Sequence, residues 1–124
     1  MSIDRFAALS ALALALAPAP AGAYTILSGD DLHEICQGTF ETEQGAISAT
    51  FCAGFIRGAF EQFWRQEIAI GHRPDQCLPA DISNRQIVDL VKAYVGAETT
   101  RRDVPAMMLV QAALERAFPG CFAG

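Results

Sequence analysis

The sequence predicts an all-α fold, a small domain of four helices or slightly more that is stabilised by disulfides. Apolar side chains recur at helical spacing along most of the chain, whereas the alternation typical of half-buried strands is weak. The chain contains four cysteines, an even number in a short sequence. Its 124 residues allow one domain of about 100 residues beyond an apolar leader, which excludes a two-domain enzyme and a dinucleotide-binding fold.

The first 23 residues have the composition of a signal peptide. Arg5 lies near the amino terminus, an apolar stretch occupies 6–17, and three small residues at 21–23 suit a cleavage site. The apolar stretch is shorter than the ~20 residues of a membrane-spanning helix, so a membrane anchor is the less favoured interpretation. We expect cleavage after Ala23, a mature domain at 24–124, and export to an oxidising compartment such as the bacterial periplasm.

Two helices are expected in the first half of the mature chain. The first covers 29–37, with Ser28 or Asp30 as its N-cap. The second and longest covers 44–70, and its apolar residues share one broad arc that we expect to face the core. The residues of that arc are Phe51, Cys52, Phe55, Ile56, Ala59, Phe60 and Phe63.

Two glycines interrupt the polar arc of the second helix. Gly54 and Gly58 are four residues apart, and each costs about 1 kcal/mol relative to alanine in a helix interior. A solvated face has no need of glycine, whereas two glycines at this spacing let another backbone approach closely. We expect them to mark close packing, within the domain or between two copies of the chain, with no special role as the alternative.

Two more helices are expected in the second half, after a loop at 71–80. The third helix begins with the capping-box pair Ser83 and Gln86. The fourth is capped by Asp103 and has Pro105 in its first turn. The core-facing positions of the third helix are Ile87, Val88, Leu90, Val91, Tyr94 and Val95. Those of the fourth are Ala106, Val110, Ala113, Leu114 and Ala117.

The four cysteines are expected to form two disulfides. Sequence alone allows three connectivities, but helix geometry offers a preference. The turn between the third and fourth helices is short, so these helices should run antiparallel, which brings Cys77 near Cys121. Cys36, at the end of the first helix, can approach Cys52 in the early turns of the second. We therefore prefer the pairs Cys36–Cys52 and Cys77–Cys121, and a metal site is disfavoured because the chain has no C-x-x-C motif.

The mature chain carries 8 basic and 13 acidic side chains. This balance disfavours a nucleic-acid partner and mildly favours a basic one, although solubility alone also explains it. The sequence shows no nucleophile elbow, metalloprotease helix or phosphate-binding loop. Pairing of all four thiols conflicts with a Cys–His enzyme that uses His33 or His72 as its base. We therefore expect a binding protein with no enzyme activity, no cofactor and no metal, and without a membrane partner after signal cleavage.

Four spaced segments resemble the Rap/Tai immunity protein family. The segment CAGFIRG at 52–58 resembles its C-x-G-[YF]-x-x-G element, and CLP at 77–79 resembles its C-x-P element. The segment ISNRQIVDLVKAYV at 82–95 resembles the part of the family that leads into its K-Y-L helix. The segment AALERAFPGC at 112–121 resembles its A-L-x-x-A-F-P-C ending. The resemblance covers about residues 50–121, and four elements in order are more specific than any one of them. The chain departs from the pattern at Val95, which replaces a leucine, and at Gly120, which is inserted before Cys121.

The resemblance implies a small helical periplasmic protein, often dimeric, that binds and blocks a peptidoglycan amidase delivered by type VI secretion. Such toxins are cysteine–histidine peptidases, and the immunity protein would occlude their cleft and protect the producing cell. The contact segments vary with the toxin, so no motif position identifies them. By exposure we expect contacts in the 71–76 loop and the 97–102 turn, at His72, Arg73, Asp75, Arg101 and Arg102. The alternatives are a periplasmic chaperone or stress protein and an envelope-assembly binding protein on the same fold.

Overall fold

The computed structural model describes residues 25–122, so the signal peptide expected at 1–23 lies outside the described residues. The described chain forms five helices: α1 (Gly29–Ile35), α2 (Glu43–Ala69), α3 (Pro74–Cys77), α4 (Asn84–Ala97) and α5 (Ala106–Ala117). Over this range the only β pairing is an isolated bridge between Ser28 and Pro105. The all-α fold and the four expected helices are confirmed. The short helix α3 lies in the segment expected to be a loop, because Pro74 at its first turn presets a helical φ.

Serine caps fix the starts of α1 and α4. The Ser28 hydroxyl accepts a hydrogen bond from the Asp31 N–H at 3.1 Å, and the Asp31 carboxylate accepts one from the Ser28 N–H at 2.9 Å. Ser83 and Gln86 form the same reciprocal pair at the start of α4. The α4 pair was expected from the sequence, whereas for α1 the sequence left Ser28 and Asp30 as alternatives and the structure selects Ser28. Each cap satisfies N–H groups that lack a partner within the helix.

The expected cap of α5 is wrong. Asp103 makes no cap hydrogen bond, and Pro105 occupies the N-cap position. The N–H of Ala106 donates instead to the carbonyl oxygen of Leu27 at 2.8 Å. Because Ser28 pairs with Pro105, the chain before α1 lies against the start of α5 and supplies the acceptor that Asp103 was expected to provide.

The core lies where α2 packs against α1, α4 and α5. It is built from Leu32, Cys36, Cys52, Ile56, Ala59, Phe63, Leu78, Ile87, Val91, Val95, Ala106, Leu109, Val110, Ala113, Leu114, Cys121 and Phe122. Most of the expected core positions are confirmed, but Ala117 is exposed and Phe51 is 52% exposed. At 27 residues α2 is about 40 Å long, roughly twice the length of α4 or α5, so these shorter helices cannot cover all of it.

The two expected disulfides are confirmed. Cys36 bonds to Cys52 and Cys77 bonds to Cys121, with Cα–Cα separations of 5.1 and 5.6 Å. Gly120 has a φ of +82°, a left-handed conformation that glycine adopts without steric cost. The residue inserted before Cys121 therefore makes the turn that carries the chain from α5 into the second disulfide.

The antiparallel pair of α4 and α5 separates the molecule into two ends. The α1 end comprises residues 25–42 and 98–105, and the α3 end comprises residues 70–83 and 118–122. The 14 residues of α4 span about 20 Å between them. Among residues 25–122, no helix has the length and apolar character needed to cross a bilayer.

Candidate partner-binding surfaces

The expected contact residues of the α3 end are exposed but held by partners. The Arg73 guanidinium donates to both carboxylate oxygens of Asp75, at 3.0 and 2.8 Å. The hydrogen bond from Arg73 lowers the pKa of Asp75, and the same bond raises the pKa of Arg73. His72 Nδ1 lies 2.6 Å from Oε2 of Glu67, whose side chain is almost wholly buried in α2. These pairs link the loop after α2 to itself and to the helix, and they leave an exposed polar surface at this end.

The expected contact residues of the α1 end are engaged with the end of α4. The Arg102 guanidinium donates to the carbonyl oxygens of Gly96, at 3.1 Å, and of Glu98, at 2.6 Å. These are acceptors that a helix C-terminus leaves without intrahelical partners. The Glu98 carboxylate accepts hydrogen bonds from Thr100, which lower its pKa, and the positive charge of Arg101 lowers it further. Arg102 therefore supports the turn, whereas Arg101 is the more exposed of the two arginines.

The structure does not bring the two expected contact segments together. His72, Arg73 and Asp75 lie at the α3 end, and Arg101 and Arg102 lie at the α1 end. The length of α4, about 20 Å, separates the two groups. A single narrow cleft on a partner can therefore receive one end of the molecule but not both.

Gly54 and Gly58 lie on the outward face of α2. Both are exposed, and a Cβ atom added at either position would meet no neighbouring heavy atom within 4 Å. Close packing within the domain, one of the two expected roles, is therefore wrong, because the core lies on the opposite side of the helix. Ile47 and Phe51 precede the glycines along the same outward stripe, at helical spacing.

An apolar surface that sequence reasoning missed surrounds Phe51. A depression of about 400 Å³ is lined by Thr25, Ile26, Leu27, Asp31, Phe51, Phe55 and Met107. A second one adjoins it across Phe51 and is lined by Glu43, Ala46, Ile47, Thr50 and Phe51. Helical periodicity assigned Phe51 to the core and could not find this surface. The detectable signal was the composition of residues 24–56, which include five carboxylates and no lysine or arginine.

A smaller depression of about 260 Å³ lies at the α3 end. Phe60 and Trp64 of α2 form one wall, and the chain from Leu78 to Ile82 forms another. Phe60 contacts Trp64 and Phe122 with ring centroids 5.8 and 5.7 Å apart. These tilted aromatic contacts continue the core, so the depression is the edge of a packed cluster.

Residues 25–122 contain neither a free thiol nor a cluster of metal-binding side chains. All four cysteines are in disulfides, which removes them as nucleophiles. Between residues 25 and 122, no group of three or more His, Cys, Asp and Glu side chains could hold a metal ion. In the same range every buried side-chain nitrogen and oxygen has a hydrogen-bond partner.

Comparison with known families decides the assignment. The family model of the Rap1a immunity proteins matches residues 28–121. The chain belongs to the Rap1a immunity protein family. A search of curated proteins found no match. The Rap1a match begins at Ser28, the N-cap of α1, and ends at Cys121, so it includes all five helices and both disulfides. Membership identifies this chain as an immunity protein, whose partner is a secreted toxin.

Proposed function

We propose that this Rap1a-family protein acts in the periplasm, where it binds a peptidoglycan amidase delivered by type VI secretion and protects the producing cell. The family match over residues 28–121 carries this proposal. Two disulfides within a domain of about 100 residues suit an oxidising compartment. The excess of acidic over basic side chains suits attraction to a basic toxin.

The mechanism is occlusion rather than chemistry. The amidase would be a cysteine–histidine peptidase, and a rigid protein seated over its cleft would exclude the wall peptide. The immunity protein itself would catalyse no reaction and would need no cofactor. Because disulfides and paired loop charges already order the surface, little conformational entropy would be lost on binding, which favours a tight complex.

The expected contact residues divide into two alternatives. The α3 end offers the Arg73–Asp75 pair and His72, whereas the α1 end offers Arg101 and Arg102. Since the ends are about 20 Å apart, one cleft would engage one group only. Alanine variants at each end, compared for toxin affinity, would assign the inhibitory end.

A second copy of the chain is a further proposed partner. Gly54 and Gly58 present helix backbone directly to solvent, which would let an α2 helix of another copy approach closely. Replacing Gly58 with leucine would then convert a dimer to a monomer in light scattering. An unchanged mass would remove the glycines from the interface.

Export is proposed from the sequence of the first 23 residues. Cleavage after Ala23 would leave Tyr24 as the amino terminus and a domain at 24–124. Mass spectrometry of the protein recovered from the periplasm tests the cleavage site. A full-length mass in the membrane fraction would contradict it.

One observation favours a second function, that of a periplasmic chaperone or envelope-assembly protein. Several large apolar side chains are exposed, and such surface can hold unfolded clients. They are Ile26, Phe40, Ile47, Phe51, Ile68, Ile70 and Met108. Suppression of aggregation for several unrelated denatured proteins would support this alternative, whereas binding confined to one toxin would exclude it.

The decisive biochemical experiment uses a purified amidase encoded beside the gene for this protein. Release of wall peptides from peptidoglycan would be followed as the immunity protein is added. We expect inhibition that is complete at a fixed stoichiometry and co-elution of the two proteins. Full hydrolysis in the presence of excess immunity protein, with no co-elution, would reject the pair.

A further inference from the structure

We propose that the acidic apolar surface at the α1 end docks a basic protein through an apolar anchor. This surface is the pair of adjoining depressions that share Phe51, with Ile26, Asp31 and Met107 in one and Glu43 and Ile47 in the other. The inference rests on the proposed function, because the toxin would be the docked protein. Beyond the proposed function, the inference names the face of this protein that contacts the toxin. It also gives the chemistry of the toxin surface, which would be basic around an apolar projection.

The exposed side chains of this surface adjoin one another. Ile26, Ile47 and Phe51 are 64%, 57% and 52% exposed. A single exposed apolar side chain is ordinary, but an adjoining set in a concave region is typical of a binding surface. Phenylalanine is a common anchor of protein interfaces, and Phe51 still exposes about half of its surface to solvent. Phe51, which lines both depressions, is placed to serve as that anchor.

Charge selects the partner. Residues 24–56 carry five carboxylates and no lysine or arginine, whereas residues 57–122 carry eight basic and eight acidic side chains. The whole negative excess of the mature side chains therefore lies in the segment that contributes α1 and the start of α2. Hydrogen bonds from Ser28 lower the pKa of Asp31, so its carboxylate at the edge of the first depression stays charged at neutral pH.

No arginine or lysine lines either depression. Arg102, although close to α1 in the fold, directs its guanidinium to the carbonyl oxygens of Gly96 and Glu98. Residues 25–42 and 98–105 together carry six carboxylates and two arginines, Arg101 and Arg102, so the α1 end keeps a net negative charge. A partner with lysines or arginines around an apolar projection complements both the field and the shape.

The same argument disfavours a second copy on this surface, so a dimer through Gly54 and Gly58 would have to leave Phe51 uncovered. Two copies that present it to each other would bring Asp31 and Glu43 of one near those of the other. Like charges brought together at an interface oppose association. An anionic lipid surface is disfavoured for the same reason. The occupant consistent with the charge is a basic protein.

The test uses the protein purified from the periplasm and labelled with ¹⁵N. Its probes are the synthetic peptide KRFLKR and the charge-reversed twin EDFLED, each titrated in NMR spectra at low salt and at high salt. We expect KRFLKR to shift the amide signals of residues 26–31 and 43–55 and to bind at least about threefold more weakly at high salt, because salt screens exposed charges. EDFLED is expected to cause no shifts.

Two variants of α2 make a matched pair. Phe51→Ser should weaken KRFLKR binding at least about tenfold, as expected for loss of an interface anchor. Ile68→Ser removes a side chain of similar exposure, 51%, from the other end of the same helix and should leave binding within about twofold. Unchanged amide signals away from each substitution would establish that both variants are folded.

Three results would overturn the proposal. The first is equal binding of the two peptides, and the second is that amide shifts are confined to the α3 end. The third is that KRFLKR fails to bind the wild-type protein while the wild-type protein self-associates and Phe51→Ser abolishes that self-association. Toxin neutralisation is scored separately. Protection that persists in Phe51→Ser would reject this surface and leave the proposed function intact, whereas absence of protection by the wild-type protein would reject that function alone.

Discussion

The two ends of this bundle share the same stabilising features, yet they differ in the charges that they expose to solvent. Each has a disulfide nearby and a helix whose first turn is closed by a serine capping box. At the α3 end Arg73 pairs with Asp75, and His72 contacts the buried Glu67. At the α1 end residues 25–42 carry four carboxylates and no lysine or arginine, and residues 98–105 add two carboxylates and two arginines.

The two ends therefore differ in their balance of acidic and basic side chains. Paired charges at the α3 end are attracted locally and project little net field. The α1 end combines a net negative field with exposed apolar side chains, a combination that favours association with a basic surface. Disulfides and helix caps stabilise both ends, whereas the excess of negative charge beside exposed apolar side chains is found at the α1 end.

The largest expected effect concerns the disulfides. Replacing Cys77 and Cys121 together with alanine should lower the free energy of unfolding by about 4 kcal/mol, because that bond closes a loop of 44 residues. The matched pair Cys36→Ala with Cys52→Ala should cost about 3 kcal/mol, because its loop is 16 residues long. Urea denaturation measures both, and a larger loss at the shorter loop would contradict the loop-entropy explanation.

A substitution of Gly29 tests how tightly the α1 end is packed. A Cβ atom there would lie 2.7 Å from the carbonyl oxygen of Arg102 and would clash with Leu109. Gly29→Ala should therefore cost about 1–3 kcal/mol of stability. Gly54→Ala is the matched control, since its Cβ meets open space, and it should stabilise the monomer by about 0.5–1 kcal/mol. Equal effects at the two glycines would reject the packing described for α1.

A smaller effect is expected at the α3 end. His72→Ala removes the hydrogen bond at 2.6 Å to the nearly buried carboxylate of Glu67 and should cost about 1 kcal/mol. The control is His33→Ala, whose ring contacts the exposed side chain of Gln37 at 3.3 Å. In thermal unfolding, the melting temperature of His72→Ala should be clearly lower than that of His33→Ala. The reverse order would mean that the contact with Glu67 does not hold the loop.

The smallest effect should appear as pH dependence of the cap of α1. Asp31 has a lowered pKa in the folded state, so its stabilising contribution is present at neutral pH and is lost as the pH falls below about 4. Asp31→Asn should therefore flatten the acid side of the stability profile. Gln86, the equivalent residue of the α4 cap, does not titrate, and Gln86→Ala should shift the profile without changing its slope. Identical slopes for wild type and Asp31→Asn would contradict the assignment.

Local signals in the sequence predicted most of the fold. Helical periodicity located α1, α2, α4 and α5, and the serine at the start of α4 was recognisable by its spacing from Gln86. The Cys77–Cys121 disulfide followed from one nonlocal step, the antiparallel arrangement that a short turn imposes on α4 and α5. These features depend on the spacing of residues along the chain, which can be read directly from the sequence.

The features that the sequence did not predict depend on neighbours distant along the chain. The apolar arc read from the sequence included Phe51, but in the structure Phe51 is 52% exposed and lies on the same outward stripe of α2 as Gly54 and Gly58. The carbonyl of Leu27 replaces Asp103 as the acceptor at α5 only because residues 25–28 lie against Pro105. The expected contact residues fell at two separate ends because exposure alone says nothing about distance between loops.

The most direct test of the central claim is a growth measurement with a candidate amidase toxin that is produced in the periplasm. We predict lysis when the amidase is produced alone, survival when the full chain is produced with it, and renewed lysis when residues 1–23 are deleted from the immunity protein. The deletion is the control for compartment. Lysis that continues while the full chain accumulates in the periplasm, with no complex recovered, would contradict the account for this toxin.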